Sequence, residues 1–309
     1  MRAYAVDLGG TRIKLAVIES GIILAQSIIP ANQQETTAKR MDRVAAELRL
    51  LAKQTKSESI TKIGIAFAGI VNSKERKIVT SNGKYLDADK MDFVSWCRNE
   101  LGAEPTIEND ANTALAGELT YGMGEKCRDA VMMILGTGVG TAAVIDGKLL
   151  RGRHFQAGCL GGHMPIEVGG RVCTCGNHGC VEANASTWAL PLIAREDANF
   201  AASGLSQENL LDFEALEKWY LRGDLLAVKL TKRFADCWSA GIAGLIHAYD
   251  PEMVILSGGV MKFSGLFEMI QKRVKNSVWS PWGEVNIVLA KSPEQSVLLG
   301  LYSLMERNF

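Results

Sequence analysis

Three cysteines and a histidine are the densest chemistry in the chain. Cys173, Cys175 and Cys180 lie in the run Cys173-Thr174-Cys175-Gly176-Asn177-His178-Gly179-Cys180. Three thiolates and one imidazole satisfy a tetrahedral zinc ion, and Gly176 and Gly179 allow the tight knuckle that converges the sulfurs. No fourth cysteine lies nearby, so the last ligand has to be a histidine. His163 and His178 compete by spacing, and His178 would need an awkward turn inside the knuckle, which favours His163. Buried free thiols are the plainer use of three cysteines, but they do not call for this clustering or for the glycines. A closed Cys3His site is structural, not catalytic.

A second cluster, Glu108-Asn109-Asp110-Ala111-Asn112, stands where a helical pattern begins. Its plain use is a helix cap, with Asn109 or Asp110 accepting from the first turn. Its chemical use is a general base: Asp110 takes a proton from an alcohol and Asn109 orients that alcohol. Phosphoryl transfer to a hydroxyl needs little beyond such a base, positioning and charge neutralisation. Glycine turns able to approach phosphate oxygens occur three times. The first is Asp7-Leu8-Gly9-Gly10-Thr11-Arg12-Ile13-Lys14, where Asp7 could hold a hydrated magnesium ion. The second is Gly136-Thr137-Gly138, and the third, Ser257-Gly258-Gly259, is expected to lead into a helix whose N-terminus favours an anion or a ribose. One Gly-Gly pair is an ordinary β-turn; three after apolar runs point to a nucleotide. No G-x-x-x-x-G-K-[ST] string is present, which excludes a P-loop enzyme.

The elements that must position these residues follow from periodicity. Apolar runs at 4–6, 13–18 and 22–29, separated by glycine turns, predict a three-stranded antiparallel meander. Met41, Val44, Ala45, Leu48 and Leu51 recur at helical spacing. A strand at 62–67, a short strand at 106–107 and a helix from 111 follow. A strand at 130–135 ends in the second glycine turn and is followed by a strand at 141–145, replaying the opening logic and suggesting a duplication. A helix at 234–248, strands at 253–256 and 285–290 and a helix at 296–305 complete an alternating α/β pattern. Two domains are expected: a small α/β domain over 1–115, completed by a C-terminal helix at 296–309, and a large α/β domain over 116–295 carrying the cysteines. They are expected to join near 111–120 and 290–297.

Composition narrows the partners. Thirty-four basic residues balance thirty-four acidic ones, so there is no footprint for nucleic acid or an anionic membrane, and a small-molecule ligand is the better match. The N-terminus runs into a polar glycine turn and does not read as a signal peptide, and no apolar stretch approaches a membrane span. Seven cysteines, an odd number, argue against a disulfide framework. A cytoplasmic chain is expected.

Together the motifs D-x-G-G-T-x-x-K at 7–14, E-N-D-A-N at 108–112, G-T-G-x-G at 136–140, G-H at 162–163, C-x-C-G-x-x-G-C-x-E at 173–182 and S-G-G at 257–259 resemble the ROK family of repressors, open reading frames and sugar kinases. The resemblance implies an actin-like (ribonuclease H-like) two-domain fold that holds ATP and a sugar between the domains, and a homodimer. It implies ATP, Mg2+ and structural Zn2+ as cofactors. Nucleotide and magnesium would engage Asp7, Gly9, Gly10, Thr11, Lys14, Thr137, Gly138, Gly258 and Gly259. Asp110 would be the catalytic base for a hexose hydroxyl, the 6-hydroxyl, with Gly69, Asn82, Asn109, His163 and Glu182 around the sugar. His163 would bind zinc through one ring nitrogen and face the sugar with the other.

Family repressors carry a helix-turn-helix ahead of the first glycine loop, and here that loop starts at residue 7, so an enzyme is expected. A sugar sensor without turnover is the alternative; it would be expected to lack Asp110 or the Gly10-Thr11 loop. One departure stands out. Kinases of the family commonly have a Glu three residues before the zinc histidine, in E-x-G-H, and this chain reads Cys159-Leu160-Gly161-Gly162-His163. Leu160, or Cys159 in a longer loop, cannot replace a carboxylate, although Glu167 could supply one from elsewhere. A sugar altered at C1 or C2 is then expected to be a better substrate than glucose.

Overall fold

The computed structural model describes residues 1–57, 59–81, 83 and 85–307. They form two compact units, one of residues 1–128, 146–159 and 290–309, the other of 129–145 and 160–289. The chain thus passes between the units four times, at 128–129, 145–146, 159–160 and 289–290, the last at the edge of the join expected near 290–297. The break expected at 115 falls inside a helix.

The first unit opens with β1 (Arg2–Leu8), β2 (Arg12–Glu19) and β3 (Ile22–Pro30), then α1 (Thr37–Gln54), β4 (Lys62–Phe67), β5 (Gly69–Asn72), β6 (Lys77–Ser81), α2 (Phe93–Leu101), β7 (Glu104–Asn109) and α3 (Asp110–Tyr121). Its sheet runs β3-β2-β1-β4-β7, with β1 antiparallel to β2 and parallel to β4, and β4 parallel to β7. The interior strand β4 is buried at every position after Lys62, whereas the edge strand β3 alternates between exposed and half-buried. That contrast is expected of a strand covered on both faces and one at a margin. On one face Met41, Val44, Leu48 and Leu51 of α1 pack onto Val6, Leu8, Ile13, Leu15, Ile63 and Ile65. The other face is small, Ala3, Ala5, Ala16 and Ala66, and meets Leu298, Leu301 and Tyr302.

The second unit has β8 (Ala130–Leu135) and β9 (Val139–Ile145); the two-residue strand β10 (Lys148–Leu149) lies in the 146–159 segment of the first. It continues with α4 (Val181–Asn184), α5 (Leu190–Glu196), α6 (Phe213–Leu221), α7 (Leu225–Tyr249), β11 (Met253–Ser257), α8 (Leu266–Ser277) and β12 (Asn286–Leu289). Strand β9 is antiparallel to β8, β8 is parallel to β11, and β11 to β12. That repeats the antiparallel-hairpin-then-parallel order of the first sheet, so the duplication suggested by the turns is present in the topology. The chain ends in α9 (Ser296–Glu306) within the first unit. There α9 lies against α3 closely enough that a Cβ on Gly117 would collide with the Ser296 carbonyl, and one on Gly300 with the Thr113 carbonyl. Among the described residues no helix is long and apolar enough to cross a membrane.

Candidate functional site

Two groups of predicted residues assemble, one in each unit. In the first, sheet register sets Asp7 level with Ala66, and Ala66 level with Glu108. The carboxyl ends of β1 and β7 therefore finish side by side across β4, which is where open α/β sheets gather their ligand sites. Lys14 pairs with Asp7 across the first hairpin, and its ammonium lies 3.2 Å from the Glu294 carboxylate. The carbonyls of the turn are taken by protein donors: Tyr85 Oη donates to Gly9 at 2.9 Å, Gln33 Nε2 to Gly10 at 3.3 Å and Ala31 N to Thr11 at 2.9 Å. The partly buried Asp7 carboxyl is pushed up to about 7 chiefly by desolvation. Lys14 pulls the other way, and Asp110 and Glu294 add to the rise.

The junction of β7 and α3 divides labour between neighbours. Asn109 is the N-cap, its Oδ1 accepting from Asn112 N at 3.0 Å, while its Nδ2 donates to Gly69 O at 3.0 Å and to Asp110 Oδ1 at 3.1 Å. Asp110 Oδ1 also accepts from Ala111 N at 2.9 Å. The cap is thus Asn109, and Asp110 holds its carboxylate at the first position of the helix, where the dipole favours negative charge. Gly69, Asn109 and Asp110 are brought together as one hydrogen-bonded set. Asn82 lies outside the described residues.

Beneath this set sits a pair that spacing did not reveal. Glu108, only 2% exposed, accepts from Arg151 Nε at 2.8 Å, Asn109 N at 2.9 Å and Asn112 Nδ2 at 3.1 Å. A buried carboxylate with a cation and two amide donors is fully compensated, and losing the cation alone would cost on the order of 3 to 5 kcal/mol. Arg151 is 43 residues away in sequence, beyond any local pattern. Cys159 is close enough to feel the charges of Glu108 and Asp110, and burial pushes its thiol up to about 11, which keeps it protonated and unreactive.

In the second unit the four metal candidates converge. The ligand atoms of His163, Cys173, Cys175 and Cys180 lie within 4.8 Å of one another. His163 Nδ1 is 3.5 Å from Cys173 Sγ, and the sulfurs of Cys175 and Cys180 are 3.7 Å apart. That separation is too long for a disulfide and matches the roughly 3.8 Å edge of a tetrahedron with zinc-sulfur bonds of about 2.3 Å. Burial, then the neighbouring thiols, pushes Cys180 up to about 12, so a metal must displace protons to bind. His178 is exposed and turns Nδ1 to Gly170 O at 3.2 Å, outside the group. The donor set fits a closed zinc site with Nδ1 of His163 as the nitrogen ligand.

Beside the cluster is the second glycine turn. Gly136 and Thr137 offer their carbonyls to Thr187 N at 3.1 Å and Trp188 N at 3.3 Å. The Glu182 carboxylate accepts from Val139 N at 2.9 Å, Thr174 Oγ1 at 3.1 Å and Trp188 Nε1 at 3.3 Å. A Cβ at Gly138 would collide with Glu182 Oε2, so a larger residue there would force that carboxylate to shift. The Thr174 and Trp188 contacts had no sequence signal. The third glycine turn corrects an expectation: Gly258 follows β11, but Gly259 opens a 3-10 turn over Gly259–Lys262, and α8 begins only at Leu266. Three residues, Phe263, Ser264 and Gly265, separate the two, so no α-helix N-terminus adjoins the pair. Leu160 precedes the 3-10 turn Gly161–His163 and accepts from His163 N at 2.9 Å. Glu167 is exposed, and its carbonyl accepts from Gly170 N at 3.2 Å.

Two sheets, each opened by a glycine-turn hairpin and extended by parallel strands, define the actin-like two-domain fold of ROK kinases. The chain belongs to the ROK family, whose family model matches residues 3–308. It is 28% identical to a glucokinase of Thermotoga maritima over 99% of this chain and 98% of that protein. It is 30% identical to a beta-glucoside kinase of Listeria innocua over 84% of this chain and 83% of that protein. A ROK family glucokinase from Streptomyces griseus, solved in complex with glucose and AMPPNP, superposes with a TM-score of 0.80 at 27% identity, covering 98% of this chain and 99% of that one.

Proposed function

We propose that this sugar kinase transfers the γ-phosphoryl group of ATP to the 6-hydroxyl of a hexose or hexose derivative, with Asp110 as the general base. The observation that carries the reading is the set at the β7–α3 junction: Asn109 is the N-cap, and the Asp110 carboxylate stands at the first helical position, hydrogen-bonded to the same Asn109 that donates to Gly69. Asp110 takes the hydroxyl proton, the oxygen bonds to phosphorus, and the bond to ADP breaks. Such transfer rests on positioning and charge more than on covalent chemistry. Asn109 and Gly69, already joined to Asp110, would orient the sugar, together with Asn82. His163, ligating through Nδ1, keeps Nε2 for a sugar hydroxyl, and Glu182 retains acceptor capacity beyond its three bonds.

Asp7 and Lys14 would serve magnesium and phosphate, and the turns at Gly9–Thr11, Thr137–Gly138 and Gly258–Gly259 would cradle the nucleotide. Bound magnesium would neutralise phosphate charge. Zinc on His163, Cys173, Cys175 and Cys180 would hold the loop that presents His163 and Glu182. The assembly is proposed as a homodimer, which light scattering checks.

A coupled ADP-release screen over glucose, fructose, mannose, allose, N-acetylmannosamine and β-glucosides tests the reading. ATP-dependent turnover of at least one sugar is expected, with phosphate on the 6-oxygen by NMR. Absence of turnover with every sugar, in protein that binds one of them, would favour a sensor instead.

A further inference from the structure

The chain that follows the cysteine knuckle clamps the second glycine turn at four points. Glu182 holds Val139 N, Trp188 N holds the Thr137 carbonyl, and Thr187 holds the Gly136 carbonyl through both N and Oγ1, the latter at 2.8 Å. The same elements reach back into the metal cluster. Thr174, between Cys173 and Cys175, donates to the other oxygen of Glu182, and its hydroxyl is 3.9 Å from Cys173 Sγ. The Trp188 side chain packs on Cys173, Cys180 and Ala183 while its indole N-H reaches Glu182. Glu182 is 7% exposed and lies against Gly138 with no room for a Cβ. A buried carboxylate shared by three donors from three segments leaves little slack, because displacing one donor strands charge in a poorly solvated place.

We propose that Glu182 is a positioning residue for the Gly136–Gly140 turn, linking the metal knuckle through Thr174 and Trp188 to nucleotide affinity. Metal on the cysteines fixes Thr174 and Trp188; these fix the Glu182 carboxylate; and the carboxylate fixes Val139 N and the turn before it. The inference rests on the nucleotide role given above to that turn, and it extends the influence of the knuckle from the sugar to the nucleotide.

The test compares wild-type protein with Thr174→Val, Thr174→Ser and Glu182→Gln. Metal content is read by mass spectrometry, AMPPNP and sugar affinities by calorimetry, and Trp188 emission by subtraction of a Trp188→Phe variant. Thr174→Val removes one donor from an exposed position, together with the 3.9 Å hydroxyl contact to Cys173 Sγ, and keeps all four metal ligands. It is expected to retain metal and melting temperature, to bind AMPPNP about three- to tenfold more weakly, the range of one weakened hydrogen bond, and to bind sugar unchanged. Thr174→Ser should restore the affinity. Glu182→Gln should weaken AMPPNP binding further, and chelation of wild-type protein should shift Trp188 emission and weaken AMPPNP binding alike. AMPPNP affinity of Thr174→Val within twofold of wild type, or nucleotide and sugar affinities falling in parallel in that same variant, overturns the proposal. Wild-type protein that binds sugar but no AMPPNP overturns the nucleotide reading first and this inference with it.

Discussion

Replacing Asp110 with asparagine separates base catalysis from the support of the helix. The cap at α3 belongs to Asn109, and an asparagine at 110 keeps an oxygen to accept from Asn109 Nδ2 and Ala111 N, the bonds now made at 3.1 and 2.9 Å. What disappears is one negative charge at a helix N-terminus, a loss of about 0.3 to 1 kcal/mol. Relief of repulsion with Asp7, whose carboxyl Asp110 helps to raise, offsets part of it. Stability should therefore change by about 1 kcal/mol at most, a shift of a few degrees in melting temperature. Turnover should fall about 10²- to 10⁴-fold, the ordinary contribution of a positioned base, while sugar affinity stays near wild type. Asn109→Ala is the contrasting variant: loss of the cap and the Gly69 bond should lower stability by about 1 to 2 kcal/mol. The assay is coupled ADP release for kcat, with calorimetry for sugar and thermal melts on the same samples. A folded Asp110→Asn protein that keeps near-normal kcat would refute the base assignment and the division of labour behind it.

Three further outcomes follow from the same geometry. The Asp7 carboxyl, raised to about 7 in the folded chain from 3.8, costs nothing below the unfolded value and removes stability as pH climbs through 7. Asp7→Asn should accordingly raise the melting temperature of the ligand-free protein at pH 8 more than at pH 5 while weakening magnesium-nucleotide binding; equal shifts at both pH values would show the carboxyl to be normal. One zinc per chain is expected in freshly purified protein, with Cys173→Ser, Cys175→Ser, Cys180→Ser and His163→Ala each losing metal and stability and His178→Ala keeping both. Metal retained in His163→Ala but lost in His178→Ala reverses that ligand choice. Leu160 supplies no carboxylate where family kinases commonly have one, and a hydroxyl left without a partner costs about 1 to 3 kcal/mol, roughly ten- to a hundredfold in kcat/KM. Glucose should then rank below a sugar altered at C1 or C2, and Leu160→Glu should raise glucose in the ranking. Glucose outperforming every such analogue in the wild-type protein contradicts this.

What the sequence determined by itself was local. Glycine turns, the Asn-Asp string and the cysteine run are legible because their chemistry lies within a few residues, and strand and helix periods announce themselves over one or two turns. The three-stranded opening, α1, α3 and α7 lie where periodicity placed them, to within a few residues at most boundaries, with α7 beginning nine residues early. Even the repeat of turn logic reflected a real repeat of sheet topology. Tertiary structure decided whatever depends on residues far apart in the chain. It chose Asn109 over Asp110 as the cap, and the same side chain donates to Gly69, 40 residues away in sequence. It paired Glu108 with Arg151 and gave Glu182 its three donors, since a buried carboxylate must find partners wherever the fold brings them. It kept α3 whole within the first unit by packing it backbone to backbone on α9, nearly two hundred residues later. It also placed a 3-10 turn, not an α-helix, after Gly259. Local spacing names the groups that can do chemistry; the burial of distant partners around them decides how each group is held.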